Sequence, residues 1–271
     1  MDTKRMGFNT KMVHAGMGKD QYGSAVVPIY QTSTFAFESA QNGADRFAGR
    51  AEGYIYTRIG NPTIRALEKN LAELEHGADG IATASGMGAV TVIYMALLGK
   101  GAHIVSTASV YGPSRGLIEK HFSRFGVEYT FVDTSDIENV RAAIRPNTKV
   151  VYLESPSNPA MLVTDICAVS ELAHQHGCRV VVDNTFASPC LQKPLDLGAD
   201  IVFHSVTKFI NGHADVVGGI IVAKDEALAK ELRAMMVILG CNMDPHQAFL
   251  VSRGVKTLSL RVERAQQNAM Q

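Results

Sequence analysis

The chain has no tryptophan, four cysteines and 7% aromatic residues, and its 26 basic side chains are balanced by 26 acidic ones. Each shortage excludes something. Zero net charge, with no basic stretch interleaved with aromatics, removes the electrostatic footprint of nucleic-acid binding. No apolar run reaches the roughly 18 residues a membrane span requires. The start, Met1 to Gly7, lacks the apolar segment of a secretory signal, so a cytoplasmic protein is expected. Cys167, Cys178, Cys190 and Cys241 form no CxxC pair and no zinc-site spacing, which predicts separate, reduced and mostly buried thiols. His174 and His176 stand two apart on an expected helix and cannot chelate together, and His103, His204, His213 and His246 are scattered. No metal site is expected.

What is present is the composition of a globular α/β protein: 271 residues, 46% hydrophobic and 19% charged. That length suits one large domain, or one domain with an arm. Residues 1–60 carry many glycines and little sustained periodicity, yet Val26 to Phe37 is strongly apolar. An arm lying on a second subunit reconciles the two. Asn61-Pro62 then reads as the cap and first position of a helix that Gly77 should stop.

Beyond it, short apolar runs alternate with helical patterns. The strands are expected at Gly80–Ala84, His103–Thr107, Tyr129–Val132, Val150–Glu154, Val180–Asp183, Ile201–Ser205 and Gly219–Val222, with helices near 87–98, 114–125, 136–145, 166–176 and 225–238. The runs are continuous rather than alternating, which predicts an α/β fold with a mostly parallel seven-stranded sheet and helices on both faces. Residues 61–250 would form this domain. Leu258 to Met270 reads as a helix without a Gly or Pro stop, so 251–271 is expected to begin a connecting helix of a longer protein.

In such sheets ligands collect beyond the carboxyl ends of the strands. Two of those ends carry charge: Asp183 closes the run from Arg179, and Lys208 follows Ser205-Val206-Thr207 after the strand from Ile201. A lysine and a carboxylate at neighbouring strand ends are what a Schiff-base cofactor with a basic ring nitrogen requires. The loop Ser85-Gly86-Met87-Gly88 joins a strand to a helix, where free N–H groups can cradle a phosphate. It is not a dinucleotide fingerprint: Thr91 stands where a third glycine belongs, and no acidic residue ends the next strand. A small cofactor's phosphate on Gly86, Met87, Ser205 and Thr207 fits better, although such a loop taken alone is equally an ordinary tight turn. Tyr111, in the loop after the His103 strand, could stack on a planar ring and act as acid or base, or could simply pack. Asn158 could donate to a ring oxygen; alone, it reads as a turn residue.

These residues sit in stretches that resemble the cystathionine γ-lyase and methionine γ-lyase group, fold type I enzymes that use pyridoxal phosphate. The matching stretches are Tyr54 to Pro62, Ala84 to Met87, Val110 to Gly112, Glu154 to Pro159, Val181 to Phe186, His204 to Lys208 with Asn211-Gly212-His213, and Arg253 to Thr257. They run in family order along nearly the whole chain. The resemblance implies that Lys208 forms the imine with the cofactor and shuttles protons. It implies that Asp183 pairs with the pyridinium nitrogen, and that Tyr111 stacks on the ring and assists the leaving group. Gly86, Met87, Ser205 and Thr207 would bind the phosphate, and Tyr56 and Arg58 would reach the phosphate of a neighbouring subunit. A homodimer with shared sites, paired into a tetramer, is implied in turn.

Within the group, the arm and the Ser-Gly-Met loop look most like methionine γ-lyase, which eliminates methanethiol from methionine to leave 2-oxobutanoate and ammonia. Cystathionine γ-lyase, cystathionine γ-synthase and O-acetylhomoserine sulfhydrylase are the alternatives. Two positions depart from the pattern. Pro113 stands where methionine γ-lyases typically have cysteine and cystathionine enzymes glycine, and Ala234 to Gly240 lacks a lysine that methionine γ-lyases carry. The group's smaller C-terminal domain, with its arginine for the substrate carboxylate, has no counterpart before Gln271.

Overall fold

The computed structural model describes residue 3, residues 5–18 and residues 20–271, so the expectation drawn from Met1 to Gly7 lies partly outside the described residues. In chain order the elements are α1 (Phe8–His14), α2 (Ala40–Phe47), α3 (Pro62–Glu75), β1 (Asp79–Thr83), α4 (Gly86–Leu97), β2 (His103–Thr107), α5 (Gly112–Lys120), β3 (Glu128–Val132), α6 (Ile137–Ala143) and β4 (Thr148–Glu154). They continue with α7 (Ile166–Gln175), β5 (Arg179–Asp183), α8 (Ser188–Leu191), β6 (Ile201–Ser205), β7 (Gly219–Ala223), α9 (Glu226–Leu239), α10 (Pro245–Val255) and α11 (Leu258–Ala269).

The seven strands form one sheet in the order β1-β7-β6-β5-β4-β2-β3. Pairing is parallel from β6 through β3, while β7 runs antiparallel to both of its neighbours. Because β7 is reversed against each, β1 and β6 point the same way and their carboxyl ends come side by side. The register places Gly219 opposite both Thr83 and Ser205. A Cβ on Gly219 would run into Ser85 O and Thr83 Oγ1, so only glycine lets the two ends meet.

Side chains alternate across the sheet, and both faces are dry. On one face Val180, Val182 and Val202 pack under Leu67, Leu71 and Leu74 of α3, with Leu172 and Val251. On the other, Val181, Ile201 and Phe203 meet Ile93 and Tyr94 of α4, with Leu228 and Leu232 of α9. Burial on both faces explains the continuous apolar runs.

Helix α3 begins as its sequence predicts: Asn61 Oδ1 accepts from Thr63 N at 2.9 Å, and Pro62 is at the start. Its end differs. The left-handed residue is His76, with φ of 60°, and Gly77 is required for space instead, since its Cβ would collide with Val222 and Ala223. The helix expected over 114–125 breaks at His121 into α5 and a separate 3₁₀ turn, Phe122–Phe125. The irregular first sixty residues contain α1 and α2, which no periodicity announced. The chain around α1 is held to its own domain, Asn70 Nδ2 donating to Ala15 O at 2.9 Å and to Lys11 O at 3.1 Å. The apolar stretch beyond it stays exposed at Val26, Ile29, Tyr30 and Phe37.

Among the described residues, no helix is long and apolar enough to cross a membrane. All four cysteines are free; Cys178 is buried, Cys190 and Cys241 are half-buried, and Cys167 is exposed, against the expectation of mostly buried thiols.

Candidate active site

The carboxyl ends of β4, β5 and β6 and the start of α4 open onto one cavity of about 520 Å³. Its lining includes Gly86, Met87, Tyr111, Asn158, Asp183, Ser205, Thr207 and Lys208. These eight are residues that the sequence singled out, brought together from five separate loops. The volume lies in the usual range for small-molecule sites.

At one end, Ser85 caps α4, its Oγ accepting from Gly88 N at 3.0 Å. A helix leaves its first N–H groups without partners inside itself. Among the described residues nothing accepts from Gly86 N or Met87 N, so both remain for a ligand. Gly86 passes close to β6; a Cβ there would stand 2.9 Å from Ser205 Cβ. Free N–H groups, the helix dipole and the Ser205 and Thr207 hydroxyls make an anion cradle. Thr207 Oγ1 also accepts from Gly218 N at 3.1 Å, which fixes its rotamer.

At the other end Asp183 is 8% exposed. Its Oδ1 takes both Thr185 N, at 3.0 Å, and Thr185 Oγ1, at 2.5 Å. Thr185 Oγ1 in turn accepts from Ser205 N at 2.9 Å, tying the ends of β5 and β6 together. No donor among the described residues reaches Oδ2, which is left to the cavity. Burial pushes the Asp183 carboxyl above its ordinary range, against the pull of the Thr185 bonds and His204. A carboxylate so placed is stabilised by a cation brought to it.

Beside it, and missed as a site residue, is Glu154. It stands opposite Asp183 in the β4–β5 register and is 5% exposed. Its Oε2 accepts from Tyr111 N at 2.6 Å and its Oε1 from Asn158 N at 2.8 Å. Burial first, then the charge of Asp183, raise its pKa to about 7. The signal that pointed to Asp183, an acidic residue closing a buried apolar strand, was present here too. Thr185 was also missed, because its role depends on the turn that follows β5.

Tyr111 precedes α5 and, 44% exposed, lies at the cavity rim. Tyr56 and Arg58 are not in this cavity. Arg58 Nη1 donates to Val237 O at 2.7 Å, and its guanidinium lies over the Tyr56 ring at 5.5 Å. Both line a separate shallow groove with Gln31 and Asn242.

The model of the family described as Cys/Met metabolism PLP-dependent enzyme matches residues 9–271. The chain belongs to this family. It is 49% identical to L-methionine gamma-lyase of Treponema denticola, over 99% of this chain and 68% of that one. The crystal structure of metB from Corynebacterium glutamicum superposes with a TM-score of 0.91 at 46% identity, over 96% of this chain and 66% of that one. That of cystathionine gamma-lyase from Lactobacillus plantarum complexed with L-serine gives 0.88 at 42% identity, over 94% and 65%. The chain thus spans about two thirds of the length of each relative, and its fold is that of these fold type I enzymes.

The residues present fit pyridoxal phosphate. The anion cradle at α4 suits a phosphate, the open Asp183 oxygen suits a protonated ring nitrogen, and Lys208 brings an amine into the same cavity.

Proposed function

We propose that this chain is the cofactor-binding part of a PLP-dependent carbon–sulfur lyase that carries out α,γ-elimination on L-methionine or a related sulfur amino acid. The observation that carries the reading is one cavity shared by an amine (Lys208), a buried carboxylate (Asp183), a rim phenol (Tyr111) and an anion cradle.

When bound, pyridoxal phosphate supplies an electron-withdrawing ring conjugated to the substrate's Cα. The protein's residues do the rest. Gly86 and Met87, through their N–H groups, and Ser205 and Thr207, through their hydroxyls, hold the phosphate. Asp183 keeps the ring nitrogen protonated, and Asn158 donates to the ring oxygen. Lys208 Nζ takes the proton from Cα and then works at Cβ, so that the sulfur group can leave Cγ. Tyr111 covers the ring and gives its hydroxyl proton to the departing sulfur.

Tyr56 and Arg58 serve the phosphate of the neighbouring subunit, which accounts for their distance from their own chain's cavity. The exposed apolar stretch of residues 1–60 then lies on that neighbour in a homodimer, two of which pair as a tetramer. Residues 251–271 would lead into the stretch of the relatives that this chain does not span. Four separate free thiols suit a reducing cytoplasm.

A second reading, γ-replacement or cleavage of cystathionine or O-acetylhomoserine, is favoured by the absence from Ala234 to Gly240 of the lysine that methionine γ-lyases carry; Pro113, two residues after Tyr111, matches neither subgroup. Thiol and keto-acid release from methionine, cystathionine, cysteine and O-acetylhomoserine, measured side by side on the full-length protein, separates the two. Borohydride reduction should fix the cofactor to the Lys208 peptide, and Lys208→Ala should abolish elimination. A colourless protein with an unmodified Lys208 peptide would overturn the reading.

A further inference from the structure

The loops carrying Tyr111 and Asn158 follow different strands, β2 and β4, and face the cavity from adjacent sides. Tyr111 has no side-chain hydrogen bond capping α5. One carboxylate ties the two loops to the same point. Glu154 Oε2 accepts from Tyr111 N at 2.6 Å, and Oε1 accepts from Asn158 N at 2.8 Å. Each oxygen serves a different loop, so neither tie substitutes for the other. The side chain is buried, which makes an ionised carboxylate costly unless both oxygens are satisfied.

We infer that Glu154 is a positioning residue: its ionised carboxylate sets how deeply Tyr111 and Asn158 enter the cavity by tying both backbones to the end of β4. The inference rests on the proposed function only for what Tyr111 and Asn158 do once they are placed.

Two consequences follow from the chemistry. A carboxylate accepts N–H bonds more strongly than a protonated carboxyl, whose hydroxyl oxygen is the weaker acceptor. Protonating Glu154 therefore loosens one loop or the other, and the site assembles as the pH rises through the pKa of about 7. The groups facing Glu154 are Asp183 on β5, Tyr94 on α4, Tyr152 on β4 itself, Tyr111 ahead of α5 and Lys208 across the cavity. Burial raises both Tyr94 and Tyr152, so they stay neutral, leaving Asp183 as the charge that keeps the proton on Glu154. Bringing a cation to Asp183 offsets that charge and eases the ionisation of Glu154, burial remaining the larger cause of its raised pKa, so filling one end of the site tightens the other.

The test uses the purified chain before and after saturation with pyridoxal phosphate, with ¹⁵N in tyrosine and asparagine amides. In the unsaturated protein the Tyr111 and Asn158 amide protons should move together with pH, sharing a midpoint near 7, and that midpoint should fall on saturation. In Glu154→Gln the shared titration should vanish and the apparent Kd for pyridoxal phosphate should rise about tenfold, the loss of one charge-assisted bond. Glu154→Asp, one methylene shorter, keeps the charge but reaches one loop, so one amide alone should titrate; it serves if the Gln variant does not fold. Separate midpoints, or titrations unchanged in the Gln variant, would overturn the inference. Should the wild-type chain take up no cofactor, the proposed function fails while the unsaturated titration still decides the role of Glu154.

Discussion

Gly86 and Gly88 lie two residues apart in the same turn, yet the structure separates their roles. At Gly86 an added Cβ would sit 2.9 Å from Ser205 Cβ and 3.1 Å from its Oγ. Carbon atoms prefer about 3.5–4.0 Å. Ser205 ends a buried strand and cannot retreat, so in Gly86→Ala the start of α4 must move away by roughly 0.6 Å or more. A hydrogen bond from its N–H groups to a bound phosphate would stretch beyond useful length. Losing one charge-assisted bond costs about 1.5–3 kcal/mol, which is a tenfold to hundredfold loss of cofactor affinity. Folding stability should fall by less than the overpacking cost of about 1–3 kcal/mol, because the alanine restricts the unfolded chain by an amount worth about 0.4–1 kcal/mol.

Gly88→Ala is the control. Its Cβ would meet Ser85 Oγ at 3.4 Å, Thr83 Cβ at 3.5 Å and Cys241 Cβ at 3.7 Å, which are ordinary contacts. That variant should gain about 0.8–1 kcal/mol of helix propensity, seen as a rise in Tm of about 2–4 °C, with cofactor affinity unchanged. The assay is absorbance titration with pyridoxal phosphate beside a thermal melt of each variant. Equal affinity losses in both, or none in Gly86→Ala, would refute the cradle.

Three further outcomes are expected. The folded pKa of Glu154 is raised from 4.5 to about 7, so its contribution to stability is greatest below pH 4.5 and declines as pH rises through 7. The difference amounts to about 3 kcal/mol; in urea melts wild type should therefore lose about that much stability relative to Glu154→Gln between pH 4.5 and pH 8, and a pH-independent difference would contradict the shift. Arg58→Ala should weaken cofactor retention and be rescued by mixing with an Arg58-intact, Lys208→Ala partner; unrescued mixtures would argue against a site shared between subunits. Tyr111→Phe should slow sulfur departure about a hundredfold or more while exchange of the Cα proton with solvent stays near wild type, and equal slowing of both would remove the phenol from the leaving-group step.

The sheet was legible because both of its faces are buried, which leaves continuous runs such as Val180-Val181-Val182. The site was legible where function loads a strand end with a residue that burial disfavours, as at Asp183, or where a turn must expose amide groups, as at Gly86. Features set by tertiary contact were not. Nothing local marks His76 rather than Gly77 as the left-handed residue; the choice follows from Val222 and Ala223 leaving no room at Gly77. Helix α1 shows no amphipathic stripe because it buries only Met12 and is held by Asn70, far along the chain. The placing of Arg58 and Tyr56 outside the cavity was implied by family resemblance alone, since spacing says nothing about which chain's cavity a side chain serves.

On the proposed function, the least stable feature of the site would set its selectivity. Asp183 and Glu154 are neighbours across paired strands, which run about 4.8 Å apart, and burial raises the pKa of both. Two adjacent buried acids are a poor choice for stability, since each makes the other harder to ionise. The protein nonetheless gives them different partners. Glu154 spends both oxygens on backbone N–H groups, whereas Asp183 commits only Oδ1 and leaves Oδ2 to the cavity. The first builds walls, and the second waits for a cation. A ligand with a protonated ring nitrogen relieves Asp183 and, through it, Glu154; a neutral ring of the same shape relieves neither. The electrostatic cost of holding two adjacent acids would thereby be offset only by a cationic ring, so that shape and charge would be recognised in the same act of binding.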